Sequence, residues 1–294
     1  MNEPRTSAFI PVPIERDRLM LGFVGFNMGF TVFDVWMAHG MSQMQTPYMA
    51  IPTLCLPLGF LPPLWLALTN TRNPLAVLAH LLGMLGCAAV GLMGFAFHMR
   101  TAVLPGGEFV WAFVIFSAPS LAPLAFAGIA GLGILAAIRE TSPGRYLIPG
   151  VMEIPVGLGK RRLYFLSIGL GLAAATLSVA IEHAQGGYVN WTEWIPVVVG
   201  GVCTGAALGH AASPHPDGRE VSVVFLIGAG AAGLGLLGFT FHASYDLADV
   251  GSINLERLVH GAPLFAPMLF ADLGILMILA SCRKRQTQAS APVS

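Results

Sequence analysis

Apolar residues run along this chain in eight stretches, near residues 19–39, 49–69, 75–98, 110–138, 163–183, 193–212, 221–243 and 258–281, separated by shorter polar or Pro/Gly-rich segments. Each stretch is about 20 residues or longer, enough for an α-helix to cross a hydrocarbon core of roughly 30 Å. The pattern predicts an all-α integral membrane protein with eight transmembrane helices.

The eight stretches form two sets of four. His39, His98, Ile51-Pro52, Gly94-Phe95, Phe97 and Ala118-Pro119 each recur 144 residues later, as His183, His242, Ile195-Pro196, Gly238-Phe239, Phe241 and Ala262-Pro263. A constant offset without a gap marks two copies of one unit joined head to tail. Four spans per unit is an even number, so the copies keep one orientation and are related by an axis along the membrane normal. The predicted organisation is an N-terminal segment (1–18), a first four-helix unit (19–138), a linker (139–162), a second four-helix unit (163–282) and a tail (283–294). The fourth and eighth stretches each carry two prolines four residues apart, Pro119 with Pro123 and Pro263 with Pro267. Inside a helix each proline removes one hydrogen bond and displaces a carbonyl, so both stretches are expected to bend. The second, with Pro52, Pro57, Pro62 and Pro63, is expected to be distorted as well.

Composition agrees with a membrane protein: 55% of the 294 residues are hydrophobic and 10% charged, against roughly 25% charged in soluble domains. The residues before Leu19 show no short apolar core with a cleavage site and do not read as a signal peptide. Thirteen of the 15 basic residues fall on one side of the eight-span arrangement, with Arg100 and Arg257 on the other. The positive-inside rule then puts both termini and the linker in the cytoplasm of a bacterial cell, with the protein multi-pass in its inner membrane. Basic residues spread along that rim by topology leave no nucleic-acid role. Of the four cysteines, Cys55, Cys87 and Cys203 lie within spans and Cys282 at the end of the eighth, so no disulfide framework is implied. Cys87 and Cys282 read as small packing residues, whereas Cys55 and Cys203 lie in matching helices where a thiolate ligand role stays open.

Candidate chemistry concentrates on the histidines. His39, His98, His183 and His242 each end a span, so all four lie at one depth near the periplasmic surface, equivalent in pairs. Lipid-facing anchors at that level favour Trp, Tyr, Lys or Arg, and several imidazoles converging from different helices make a metal site without any sequence-local motif. The second copy adds Glu182, Glu193, Asp246, Asp249, Glu256, His260 and Asp272 where the first has apolar or small residues. His242 and Asp246 are four apart, so Asp246 either ligates or orients the imidazole, while Glu182 adjoins His183 but points about 100° away around the helix. The candidate metal ligands are therefore His39, His98, His183, His242, Asp246, Glu182 and His260. Asp34 and Asp272 are ionisable groups at membrane depth, functional or else hydrogen-bonded to backbone that proline frees. His80, His210 and His215 lie near the other face and read as packed or solvated.

Three readings follow. The first is a histidine/carboxylate metal site facing the periplasm, in a metal-handling protein or a metal-dependent membrane oxidoreductase. Copper or iron is favoured there and zinc is admissible, with a periplasmic redox or metal-delivery partner. The second is a b-type haem protein with bis-histidine ligation by His39 with His98 and His183 with His242. The third is a transporter of a small solute or metal ion, which the bent helices and Asp272 suit. A homo-oligomer or a larger membrane complex is compatible with each. The topology is tested by cysteine labelling: a Gly107→Cys variant is expected to react from the periplasm and a Gly144→Cys variant is not. Periplasmic labelling at 144 would contradict the assignment.

Overall fold

The computed structural model describes residues 8–41, 44–116, 119–149, 152–247 and 264–284. A short strand β1 (Ile10–Val12) leads into helix α1 (Arg16–Met41). A 3-10 segment (Pro47–Leu54), α2 (Cys55–Gly59) and α3 (Leu61–Thr69) together run back as one broken rod, followed by α4 (Pro74–Arg100), α5 (Trp111–Phe116) and α6 (Leu124–Ala137). Strands β2 (Arg139–Ser142), β3 (Arg145–Ile148) and β4 (Met152–Pro155) form an antiparallel sheet. The chain continues through α7 (Lys160–Gly186), a 3-10 turn (Trp191–Trp194), α8 (Ile195–Ala212), α9 (Gly218–Leu247), α10 (Met268–Ser281) and β5 (Cys282–Lys284), which pairs in parallel with β1.

The fold is mostly helical. Among the described residues six segments are long and apolar enough to cross a membrane: Arg16–Gly40, Pro47–Thr69, Pro74–Arg100, Lys160–Gly186, Trp191–Ala212 and Gly218–Tyr245. Of the fourth stretch the described residues supply α5 and α6, and of the eighth, described from residue 264, they supply α10; α6 and α10 have 14 residues each. That is about 21 Å of helix, short of a hydrocarbon core. Proline accounts for the shortening: Pro123 caps α6 and Pro267 caps α10, each preceded by non-helical turns. The second stretch is interrupted at Phe60, between Pro57 and Pro62, as its prolines led one to expect. Large apolar side chains such as Phe26, Leu82, Leu92, Leu170, Leu226 and Phe241 remain exposed along the rods, the surface that a bilayer would cover.

Element bounds repeat at the sequence offset: α1 and α7 begin at 16 and 160, α4 and α9 at 74 and 218, and α6 and α10 at 124 and 268. Packing repeats too. A Cβ on Gly91 would lie 2.8 Å from the Pro123 carbonyl oxygen, and one on Gly235 2.7 Å from that of Pro267. Only glycine permits helix backbones to approach so closely. One turn on, Gly94 faces the Pro123 ring and Gly238 the Pro267 ring. Arg18 donates to the carbonyls of Ala67 and Leu68, and Arg162 to those of Ala211 and Ala212, satisfying helix C-termini that have no partner of their own.

The two halves meet along α1 and α6 on one side and α7 and α10 on the other. At the end opposite the four histidines, a polar knot ties them. Lys160 is 2% exposed; its ammonium donates to Asp17 at 2.6 Å and to the carbonyls of Ile138 at 2.6 Å and Ala136 at 3.3 Å. The Tyr164 hydroxyl donates to the other Asp17 oxygen at 3.0 Å, with the Arg16 guanidinium 5.0 Å over its ring. Glu140 on β2 accepts the Lys160 backbone N–H, and the buried Tyr146 hydroxyl of β3 donates to the Leu158 carbonyl, so the small sheet is fastened to the same knot. Removing one partner of a buried ion pair leaves an uncompensated charge. Asp17→Ala is therefore expected to destabilise the solubilised protein by about 3–5 kcal/mol, read as a lowered thermal midpoint. Asp17→Ala/Lys160→Met should recover much of the loss, and an unchanged midpoint in the single variant would refute the role of the pair.

Candidate functional site

Helices α1, α4, α7 and α9 all point their C-termini to one end of the molecule, because α1 meets α7 at the Asp17 knot and α9 runs antiparallel to α10 through Gly228, Gly235 and Gly238. His39, His98, His183 and His242 occupy those C-terminal ends and are all half-buried. The four therefore gather toward one end of the bundle.

Three of these rings are held by backbone carbonyls. His39 Nδ1 lies 2.8 Å from the Met49 oxygen, His98 Nδ1 2.9 Å from the Pro119 oxygen and His183 Nδ1 2.8 Å from the Glu193 oxygen. A carbonyl oxygen only accepts, so Nδ1 must carry the proton in all three. In the neutral ring Nε2 is then the bare lone pair, the tautomer a metal-binding imidazole needs, with its other nitrogen fixed by a hydrogen bond. The local sequence explains the arrangement. Residue 44 after His39 and residue 188 after His183 both take left-handed backbone, at φ 40° and 51°, and turn the chain back so that the carbonyl ten residues on meets the ring. For His98 the carbonyl comes from the turn that Pro119 and Pro123 impose before α6. These carbonyl partners were absent from the sequence reading; the signal lay in the spacing of ten residues, repeated in both halves.

The imidazoles of His39 and His98 come together, with ring centroids 6.4 Å apart and planes at 48°. Tyr48 and Phe97 pair beside them at 5.8 Å. In the second half Tyr188 stands edge-on to His183 at 6.2 Å and stacks on Trp194 at 4.1 Å. Burial raises the Tyr188 phenol above its usual range, so it remains protonated and donates to the Ala180 carbonyl at 2.7 Å. Among the described residues no group of three or more His, Cys, Asp or Glu side chains lies together as an ion would require. The described part of the site is thus an imidazole pair.

Glu182 lies beside residues of the first half. It accepts from Ser178 at 3.0 Å and lines a cavity of about 10 Å³, room for one water-sized occupant, with Val114, Pro119, Ser120 and Gln185. The Gln185 amide closes the seam by donating to the Ile115 carbonyl, and the buried Ser120 hydroxyl has no partner among the described residues. Glu193 accepts from Asn190 in a capping box and offers its carbonyl, not its carboxylate, to His183. Asp34 on α1 and Asp272 on α10 are half-buried and make no hydrogen bond among the described residues. The Asp246 side chain and His260, Asp249 and Glu256 lie outside the described residues. His80 is fully buried against the Gly133 carbonyl at 3.0 Å and His210 packs edge-on to Phe165 at 4.4 Å, both as packing residues.

Comparison with protein-family models, curated proteins and solved structures gives no match. The site rests on its own geometry. Nitrogen-15 spectra of histidine-labelled, metal-free protein at alkaline pH should show His39, His98 and His183 as the Nδ1–H tautomer. An Nε2–H signal for His39 or His98 would contradict the carbonyl contacts.

Proposed function

We propose that this chain is a polytopic membrane protein of two tandem, parallel four-helix units that binds a transition metal through histidines at one membrane face, for metal handling or redox chemistry. The charge split of the sequence assigns that face to the periplasm and both termini to the cytoplasm. The bounds, glycine contacts and arginine caps that recur at an offset of 144 support the tandem units.

The observation that carries the reading is the separation of the His39 and His98 rings. An imidazole centre lies roughly 1.2 Å from its own Nε2, and a metal–nitrogen bond is about 2.0 Å, so two rings on opposite sides of one ion sit about 6.4 Å apart. The rings are at 6.4 Å. Both Nδ1 atoms are engaged by carbonyls, so the lone pairs that remain are those an ion would use. Imidazoles on opposite sides suit copper or iron, whereas tetrahedral zinc would draw the ring centres to about 5 Å. The Met49 and Pro119 carbonyls would fix the orientation of the two rings and leave both Nε2 atoms as donors. Position 242 repeats position 98, and with His183 it supplies the second pair, to which Asp246 and His260 would add donors.

The same spacing suits bis-histidine iron in a haem, which the optical spectrum separates from a bare ion. Full-length protein purified without chelator is expected to carry copper or iron. His39→Ala and His98→Ala should each remove the ion of the first half, and Asp246→Asn should weaken the second by about 10- to 100-fold. A Soret band weakened by either alanine variant would replace the bare ion by haem. Protein that carries no transition metal or haem and binds none on titration would overturn the proposal.

A further inference from the structure

Beneath the histidine pair lie three sulfur atoms that the metal reading does not use. Met28 on α1, Cys55 on α2 and Cys87 on α4 are 0%, 3% and 0% exposed. Met28 and Cys87 meet at Gly59, one turn beyond Cys55: a Cβ there would lie 3.1 Å from Met28 Sδ and 3.2 Å from Cys87 Sγ. The Cys87 thiol donates toward the Cys55 carbonyl at 4.0 Å, which brings the two cysteines together. The bare α-carbon of Gly59 lets sulfur from two neighbouring helices converge on the third.

Their position relative to the histidines is regular. Met28 precedes His39 by 11 residues on α1, and Cys87 precedes His98 by 11 on α4. Eleven residues are three turns within about 20° and rise about 16 Å. The two helices therefore present imidazoles at their ends and sulfur on the same faces about 16 Å deeper. Packing alone does not call for sulfur here, since the corresponding positions of the second half are Leu172, Val199 and Ala231.

We propose that Met28, Cys55 and Cys87 form a buried Cu(I) site in the first half. Thiolate and thioether donors select Cu(I) among the first-row metals, whereas zinc requires a fourth ligand. Binding exchanges one thiol proton for one Cu(I), with no change of oxidation state. One thiolate, one thiol and one thioether around a monovalent ion are neutral overall, the arrangement that hydrocarbon surroundings favour. The proposal deepens the metal reading by naming the ion and its oxidation state, on residues separate from the histidines.

The test is anaerobic titration of the full-length, reduced, detergent-solubilised protein with Cu(I) delivered from its bicinchoninate complex, followed by X-ray absorption at the copper edge. Wild type should show sulfur as well as nitrogen scatterers. Cys55→Ser/Cys87→Ser should bind one Cu(I) fewer per chain and lose the sulfur shell; His39→Ala/His98→Ala should keep the sulfur-bound ion. If the serine variant aggregates, Met28→Leu decides, with one sulfur fewer in the shell. A copper complex of wild type without sulfur scatterers, or an unchanged stoichiometry in the serine variant, would overturn the site. Loss of nitrogen scatterers alone would instead count against the histidine pair.

Discussion

The arrangement depends on the close approach of α4 to the proline-broken segment that ends in α6. Gly91 lies against the backbone at Pro123 and Ala127, Gly94 against the Pro123 ring, and His98, one turn further, against the Pro119 carbonyl. These are successive rungs on one helix face. In lipid the carbonyl that Pro123 deprives of its helical partner must find another donor. The Ala122 N–H at 3.3 Å and the His98 N–H at 2.9 Å supply it, so the feature that breaks the helix also sets the imidazole tautomer. The second half repeats the lower rungs at Gly235 and Gly238. A side chain at either glycine would part the rods and release the ring.

Much of this was legible in the sequence. Repetition of His39 and His98 at one offset implied equivalent placement, and hydropathy placed both at helix ends. The prolines foretold the breaks. Helix length in the fourth and eighth stretches was not legible, because hydropathy counts apolar residues whether or not they are helical. Nor was the β2–β4 sheet in the linker, whose short strands carry no long periodic signal. Lys160 and Arg161 read as surface charges of a basic rim, yet both are buried and bonded to Asp17 and to helix-terminal carbonyls. The matching triplets Arg16-Asp17-Arg18 and Lys160-Arg161-Arg162 differ by one acid, and that acid is the partner.

The two halves differ chemically at corresponding positions. The second half carries carboxylates where the first has apolar or small residues, and of these Glu182 lines a cavity with Ser120 of the first half. The first half holds its sulfur atoms around Gly59, where the second has Cys203 in the glycine's place. The two halves share element bounds and the carbonyl contacts of His39 and His183, while their donor residues differ. Such divergence suits two halves with different tasks in one protein.

The central claim is that His39 and His98 hold one ion between them. An experimental structure of the metal-loaded protein with anomalous scattering recorded at the metal's absorption edge tests it most directly. The account predicts a peak between the two imidazoles, about 2 Å from each Nε2, with both Nδ1 atoms still on the Met49 and Pro119 carbonyls. Metal bound elsewhere, with no anomalous peak between these rings, would contradict it.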